Sequence, residues 1–304
     1  MPRKITTTTM HSITFTCETI TPMFLSGADG TTPELRAPSI KGAMRFWWRA
    51  MNGHLGIEDE KDKDGKVVKK GLRTREGELF GATDRKSSFS IQIVSTKPLE
   101  SQPQAVLPHK DRSFSKMAFK SHQSFQVIIR CKDQATQQIL QHLFPLCCVL
   151  GGFGGRMRRG FGSIRITNEK HYPATLNAIC EHIEALVPQK FQLRNNEIVY
   201  LAQQKPPYPY IESISIGRAD AQLTKKIGQA THDVNSKRGR DYGVSVGSAN
   251  PRFASPVYVS AIQTAKGIQP IITVLHHVGN PKSYTLHTRQ INEIQQQLKQ
   301  AITE

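Results

Sequence analysis

The stretch GGFGGRMRRGFGS, Gly151 to Ser163, constrains the fold more than any other. Six glycines surround Arg156, Arg158 and Arg159, between an apolar helical run and a strand-like one. Glycine loses the most backbone entropy on ordering, so such a cluster marks a chain that bends tightly or lets something approach its amides. The arginines make that something anionic. Spacing excludes two phosphate loops. Gly155 to Gly160 has the opening glycine spacing of a P-loop, but Phe161 stands where the lysine belongs. A dinucleotide fingerprint follows a strand and opens a helix, whereas this loop follows a helix and opens a strand. Two readings stay open: a loop whose backbone, Gly154 and Gly155 included, cradles a phosphodiester chain, and a bare surface turn.

With 304 residues, two domains are the natural expectation. The net charge of +17 favours a polyanionic partner, nucleic acid or an acidic membrane surface. Membrane is the weaker choice, because no apolar stretch approaches the roughly 20 residues that span a bilayer. The start, MPRKITTTTMHS, is basic but runs into threonines instead of the apolar core of a signal peptide, so a soluble, cytoplasmic protein is expected. Cys17, Cys131, Cys147, Cys148 and Cys180 form no C-x-x-C pair and read as buried, reduced thiols. Neither a metal site nor a cofactor is expected.

The first half alternates strand and helix patterns. SITFTCETI (Ser12–Ile20) has period two, with Ile13, Phe15 and Cys17 on one face. Ser39 is expected to cap a helix through IKGAMRFWWRAMN, whose apolar stripe is Ile40, Ala43, Met44, Trp47 and Met51. Strands Ser87–Ser95 and Ser124–Cys131, a helix Asp133–Leu150 interrupted or kinked near Pro145, and a strand Phe161–Thr167 follow. That order, β-α-β-β-α-β, is the ferredoxin-like (RRM-like) pattern of an α+β fold. It places a first domain at 1–168, with glycine-rich loop 151–163 and insertions near 53–86 and 97–122. The first insertion, with its mixed-charge run EDEKDKDGKVVKKGLRTRE, reads as mobile. A second, degenerate domain of the same kind is expected over 169–304. It shows a helix over Ala174–Leu186, strands near Glu197–Ala202, Ile211–Ile216, Ala254–Ala261 and Gln269–Leu275, and a closing polar helix. Its strand order is not legible, and the long Gly/Ser/Asn-rich segment before Arg252 reads as an exposed loop with one or two helical turns.

On the first helix, Lys41, Arg45 and Arg49 recur every four residues, with Trp48 and Asn52 on the same face. Cations spaced this way meet phosphates, and an indole among them can stack on a base. The helix N-terminus at Ser39 offers free amides to a phosphate. The alternative is an ordinary solvated face with Trp48 in the core.

The segment ITFTCETITPMFLSGADGTTPELRAPSIKGAMRFWWRAM resembles the opening of RAMP-superfamily CRISPR proteins, and more narrowly the family of subunit one of the Cmr (type III-B) complex. The glycine loop is similar to that family's loop after its second helix, and RFASPVYVSA, from Arg252, to its late arginine-then-ASP segment. The resemblance implies two ferredoxin-like domains in a non-catalytic subunit at the head of a ribonucleoprotein filament. It also implies contact with other RAMP subunits, with the 3′ part of the guide RNA (crRNA) and with single-stranded target RNA. Carried over residue by residue, Arg36, Ser39, Lys41, Arg45 and Arg49 match around the first helix, and Arg156, Arg158 and Arg159 match the loop. Lys237, Arg238 and Arg240, beside Tyr242, match no motif and are added as RNA contacts on charge alone.

Two rivals stand beside this reading. A RAMP-type endoribonuclease, cutting guide precursor or target RNA, needs a carboxylate at the scissile phosphate, and Asp29 in SGADG is the candidate. His11 or His109 can serve instead as acid–base groups. Against it, Asp29-Gly30 is an ordinary turn dipeptide. A chiefly structural subunit would present Phe46, Trp47 and the Phe-rich DRSFSKMAFK segment to protein neighbours.

Overall fold

The computed structural model describes residues 10–111, 113–168, 172–203, 205–236, 243–249, 252–276, 278 and 288–304. The first strand, β1 (His11–Thr19), keeps its period of two, burying Phe15 and Cys17 and turning Thr14 and Thr16 outward. Helix α1 (Ala37–Met51) starts two residues before Ser39, with Arg36 at the cap position. Pro38 sits in its first turn, where a missing N–H costs nothing. Ser39 therefore lies inside the helix and does not cap it.

The insertion after α1 is structured. It contains the hairpin β2 (Glu60–Lys61) and β3 (Val67–Lys69) and the helix α2 (Leu72–Phe80). Strand β4 (Phe89–Val94) follows, then a ribbon of β5 (Ser101–Ala105) and β6 (Ser115–Phe119), then β7 (Ser124–Cys131). Helix α3 (Gln134–Leu150) is capped by Asp133, whose carboxylate accepts from the Thr136 amide at 2.7 Å, and it runs through Pro145. Strand β8 (Ile164–Ile166) closes a four-stranded antiparallel sheet of order β4-β7-β1-β8. This is the ferredoxin-like arrangement that the sequence pattern implies.

The second half begins with α4 (Leu176–Leu186) and the strands β9 (Phe191–Arg194), β10 (Glu197–Tyr200) and β11 (Ile211–Ile216). Asn195 and Asn196, both left-handed, turn β9 into β10, a hairpin that the sequence reading missed. Then come α5 (Leu223–Ser236), α6 (Gly243–Val246), β12 (Ser248–Ala249), β13 (Arg252–Phe253), β14 (Val257–Thr264), β15 (Gly267–Leu275) and α7 (Thr288–Thr303). Part of the segment expected as loop is thus the 14-residue helix α5. The second sheet has order β14-β15-β11-β10-β9. Its β11-α5-β14-β15-α7 sequence repeats the ferredoxin-like order. The fourth strand's place beside β11 is taken by β10, which arrives from the N-terminal side through a hairpin, and this substitution makes the unit degenerate.

The two sheets share one core. Along β14, Tyr258 and Ile262 join the cluster formed by α1, α3 and the first sheet, while Val257, Val259 and Ala261 face α5 and α7. Helix α3 is therefore enclosed between two sheets. A helix so placed must be apolar all round, which explains QHLFPLCCVL: every residue from Leu143 to Leu150 is buried, Cys147 and Cys148 included. Burial also pushes both thiols well above their ordinary pKa. Phe144 packs between Phe15 at 4.6 Å and Phe153 at 6.1 Å. Among the described residues no helix is long and apolar enough to cross a membrane.

Phe144→Ala removes a fully buried ring at the centre of this layer and is expected to cost about 3–5 kcal/mol. Urea unfolding will show it as a lower midpoint at an unchanged m-value.

Candidate nucleic-acid interface

The glycine loop lies at the seam between the two halves. Gly152, Gly154, Gly160 and Gly162 all have positive φ. A Cβ on Gly162 would lie 1.9 Å from the Phe153 carbonyl oxygen, and one on Gly152 would lie 2.0 Å from that of Gly162. The loop therefore crosses itself at a distance only glycine permits. A Cβ on Gly154 would likewise meet the Phe24 carbonyl at 2.3 Å. Here the structure corrects the sequence reading: these glycines answer to close approach of the protein's own backbone. Gly155 alone among the two proposed cradle glycines is exposed, and its N–H donates to Phe24 O at 2.6 Å. On the other side, the Gly160 N–H donates to Val259 O at 2.7 Å and the Ala261 N–H to Ser163 Oγ at 2.9 Å, binding the loop to β14.

This crossing presents the arginines. Arg156 holds a left-handed conformation at φ 58°, which costs a side-chain-bearing residue about 1 kcal/mol. A single 3-10 turn, Met157–Arg159, follows. Arg159 turns inward: its guanidinium donates to Val246 O at 2.7 Å and Val257 O at 3.3 Å. Burial, with the neighbouring cations Arg156 and Arg158, pulls its pKa down to about 10. Arg159 is thus a scaffold cation rather than a free phosphate ligand. Arg158 lies over the Tyr258 ring at 4.6 Å, and Tyr258 packs edge-on to Trp47 at 5.0 Å. Burial depresses the pKa of half-buried Arg156, and its guanidinium has no hydrogen-bond or ion-pair partner among the described residues.

Arg252, about ninety residues away in sequence, comes to the same place. Arg156, Arg158, Arg159 and Arg252 line one cleft of about 800 Å³ with Gly247, Ser248 and Ser255, and no described residue lining it is acidic. Arg156 also lines a second cavity of about 740 Å³, together with Ser39, Gly154 and Gly155. The structure therefore sets Arg156 of the loop beside both the late arginine and the start of α1.

The rest of the basic face on α1 is engaged within the protein. Arg45 Nε bonds Glu76 Oε1 of α2, and Arg49 Nε lies 3.5 Å from Glu76 Oε2. Lys41 sits over the Phe89 ring at 4.9 Å; burial and then Arg45 lower its pKa. Arg36 reaches Glu34 at 3.9 Å. Trp48 is buried edge-on to Phe80 at 6.2 Å, so it is not free to stack on a base. Asn52 is buried too and donates to Trp48 O at 2.7 Å. The physical reason is α2, which packs along this side of α1 and whose sequence, LRTREGELF, carries little apolar periodicity. Lys237, Arg238 and Arg240 lie outside the described residues.

Asp29 is committed to its own turn. Its carboxylate accepts the Thr32 hydroxyl at 2.5 Å and the Thr31 and Thr32 amides at 3.0 Å. The Thr32 hydroxyl and these amides hold its pKa well below the usual carboxylate range. His109 lies 5.5 Å from the His232 ring of α5, and burial, then the His232, Lys110 and Arg156 charges, lower its pKa. His11 begins β1, where its carbonyl accepts from the Cys131 thiol.

Residues 16–165 match the sequence profile of the RAMP superfamily. The CRISPR system Cmr subunit Cmr1-2 of Pyrococcus furiosus is 26% identical over 189 residues, covering 52% of this chain and 96% of that protein. Subunit Cmr1-1 of the same organism is 28% identical over 151 residues, 44% of this chain and 41% of that protein. The fold of the apo crystal structure of Cmr1 from P. furiosus overlays with TM-score 0.58 at 16% identity, over 94% of this chain and 96% of that one. A chain in the cryo-EM structure of the type III-B Cmr-beta complex bound to cognate target RNA overlays with TM-score 0.57 at 10% identity, over 96% and 99%. Both overlays extend through the second half, where the late motif is the sole sequence anchor.

The distinction between scaffold and free arginines is testable by stability. Arg159→Met leaves the Val246 carbonyl without its donor, while Val257 O keeps the Ser255 hydroxyl at 3.0 Å, and is expected to cost roughly 1–3 kcal/mol, whereas Arg252→Ala, on an exposed side chain, should fall within about 0.5 kcal/mol. Thermal unfolding of the two variants against the unsubstituted chain separates them.

Proposed function

We propose, from the premise that this chain is a RAMP-superfamily protein of the Cmr1 kind, that it is a non-catalytic, RNA-binding subunit of a type III-B CRISPR effector complex. In this reading it works in the cytoplasm beside other RAMP subunits and holds the backbone of guide RNA, of paired target RNA, or of both. The observation that carries it is the convergence of Arg156, Arg158 and Arg252 on one cleft that no acidic described residue lines. Unneutralised cations repel one another, and a polyanion relieves that repulsion while releasing counterions.

Such contacts fix register and carry no base information. Sequence specificity would come from pairing between guide and target. The protein's part is geometric: the crossed glycine loop holds three guanidinium groups at the seam, Arg159 ties the turn to β14, and Tyr258 supports Arg158 from beneath. Nothing in the placement of Asp29 favours the nuclease reading, since its oxygens are turned onto Thr31 and Thr32.

Replacing Arg156, Arg158 and Arg252 together by alanine should weaken binding of single-stranded RNA at every sequence tried. It should also flatten the plot of log K against log salt by about 2 units, at roughly 0.7 for each phosphate no longer neutralised. Unchanged affinity and slope would remove the assignment. RNA incubated with the protein and Mg²⁺ is expected to stay intact. Discrete cleavage that disappears in Asp29→Ala would replace this reading with the endoribonuclease.

A further inference from the structure

The second cavity is unlike the arginine cleft. Four separate segments wall it: the loop after β1 at Phe24 and Thr31, the first turn of α1 at Ser39, the β5–β6 ribbon, and the glycine loop. Beneath it, Phe24, Val106, Ala118 and Phe161 form a small apolar cluster of their own, with Phe24 and Phe161 rings 5.0 Å apart. On its rim the ribbon leaves Phe114 61% exposed and Met117 38% exposed, two of the few exposed large apolar side chains among the described residues. Between them stands Lys116, exposed and without an ion pair among the described residues.

These features define a ligand with a flat apolar face, a polar edge and a negative charge. The ring of Phe114 and the thioethers of Met117 and Met157 supply apolar walls, Ser39 and Thr31 supply hydroxyls, and Lys116 and Arg156 supply positive charge. The volume, about 740 Å³, falls within the ~300–1,000 Å³ typical of sites that enclose a small organic ligand. Arg156 is the hinge of the inference, because the same side chain lines this cavity and the four-arginine cleft. A phosphate held by Arg156 in the cleft would therefore lie at the edge of the cavity as well.

We propose that the cavity receives one unpaired base of the bound RNA, stacked on Phe114, with an adjoining phosphate at Arg156 and Lys116. The proposal rests on the RNA-binding reading and adds to it a base-dependent contact, sequence-tolerant because every base has a π face. It also gives the exposed Phe114 a role in RNA contact instead of the protein contact that the Phe-rich segment first suggests.

The test uses the full chain and a short mixed-sequence single-stranded RNA in which each nucleotide in turn is replaced by an abasic one. In the unsubstituted protein, one position is expected where loss of the base weakens binding about 5- to 150-fold, the equivalent of about 1–3 kcal/mol per stacked base. Phe114→Ala should show the same loss on intact RNA and no further loss at that abasic position. Phe114→Tyr should retain most of the affinity, and the salt slope should not change in either variant. Salt-sensitive binding with no base-dependent position, or a Phe114→Ala loss equal on intact and abasic RNA, overturns this proposal and leaves the RNA-binding reading standing. No binding of any RNA overturns both. Loss of binding to another Cmr subunit in Phe114→Ala, with base dependence intact, makes the cavity a protein-docking site and equally overturns it.

Discussion

The close crossing of Gly152 and Gly162 is the contact on which the candidate site depends. At that distance no side chain fits, so the chain leaving buried helix α3 reverses on itself before entering β8. The reversal throws the 157–159 turn outward and brings Gly160 and Ser163 against β14. The same few residues thus close the first sheet, bind it to the second, present Arg156 and Arg158 to the cleft and turn Arg159 inward.

Charge within this seam is divided by burial. Arg159 has its guanidinium turned onto the carbonyls of Arg158, Val246 and Val257 and stabilises the turn; Arg158 rests on an aromatic ring; Arg156 and Arg252 line a cleft with no acidic group among its described residues. Along α1 the division runs the other way, since Glu76 takes both Arg45 and Arg49 and leaves that face with less net charge than its sequence suggests. The clustered, unneutralised cations are what mark the arginine cleft, more than the overall charge of +17.

Several elements were legible in sequence because their periodicity is local. The alternation in β1, the stripe on α1 and the strands Ser124–Cys131 and Ile211–Ile216 need no tertiary information. Helix α2 was hidden because nine residues with little apolar patterning sit beside a run of mixed charge, and it becomes helical by packing on α1. Helix α5 was hidden by glycine and polar residues, although Leu223, Ile227 and Ala230 mark its buried face. Trp48 illustrates the limit most clearly: its helical position beside Lys41, Arg45 and Arg49 is correct, yet the neighbour that buries it lies in a segment that reads as mobile.

By itself, then, the sequence determined the β-α-β-β-α-β order of the first half, the identity of the loop arginines and the strongly basic character of the chain, all properties of residue type and short-range spacing. Tertiary structure alone decided that β10 stands in for the fourth strand of the second sheet and that Arg252 joins the loop. It also decided that Arg159 and Trp48 serve the interior and that Phe114 stands over a cavity. The physical reason is range: periodicity acts over a few residues, whereas burial and charge pairing are set by whatever the fold places within a few ångströms.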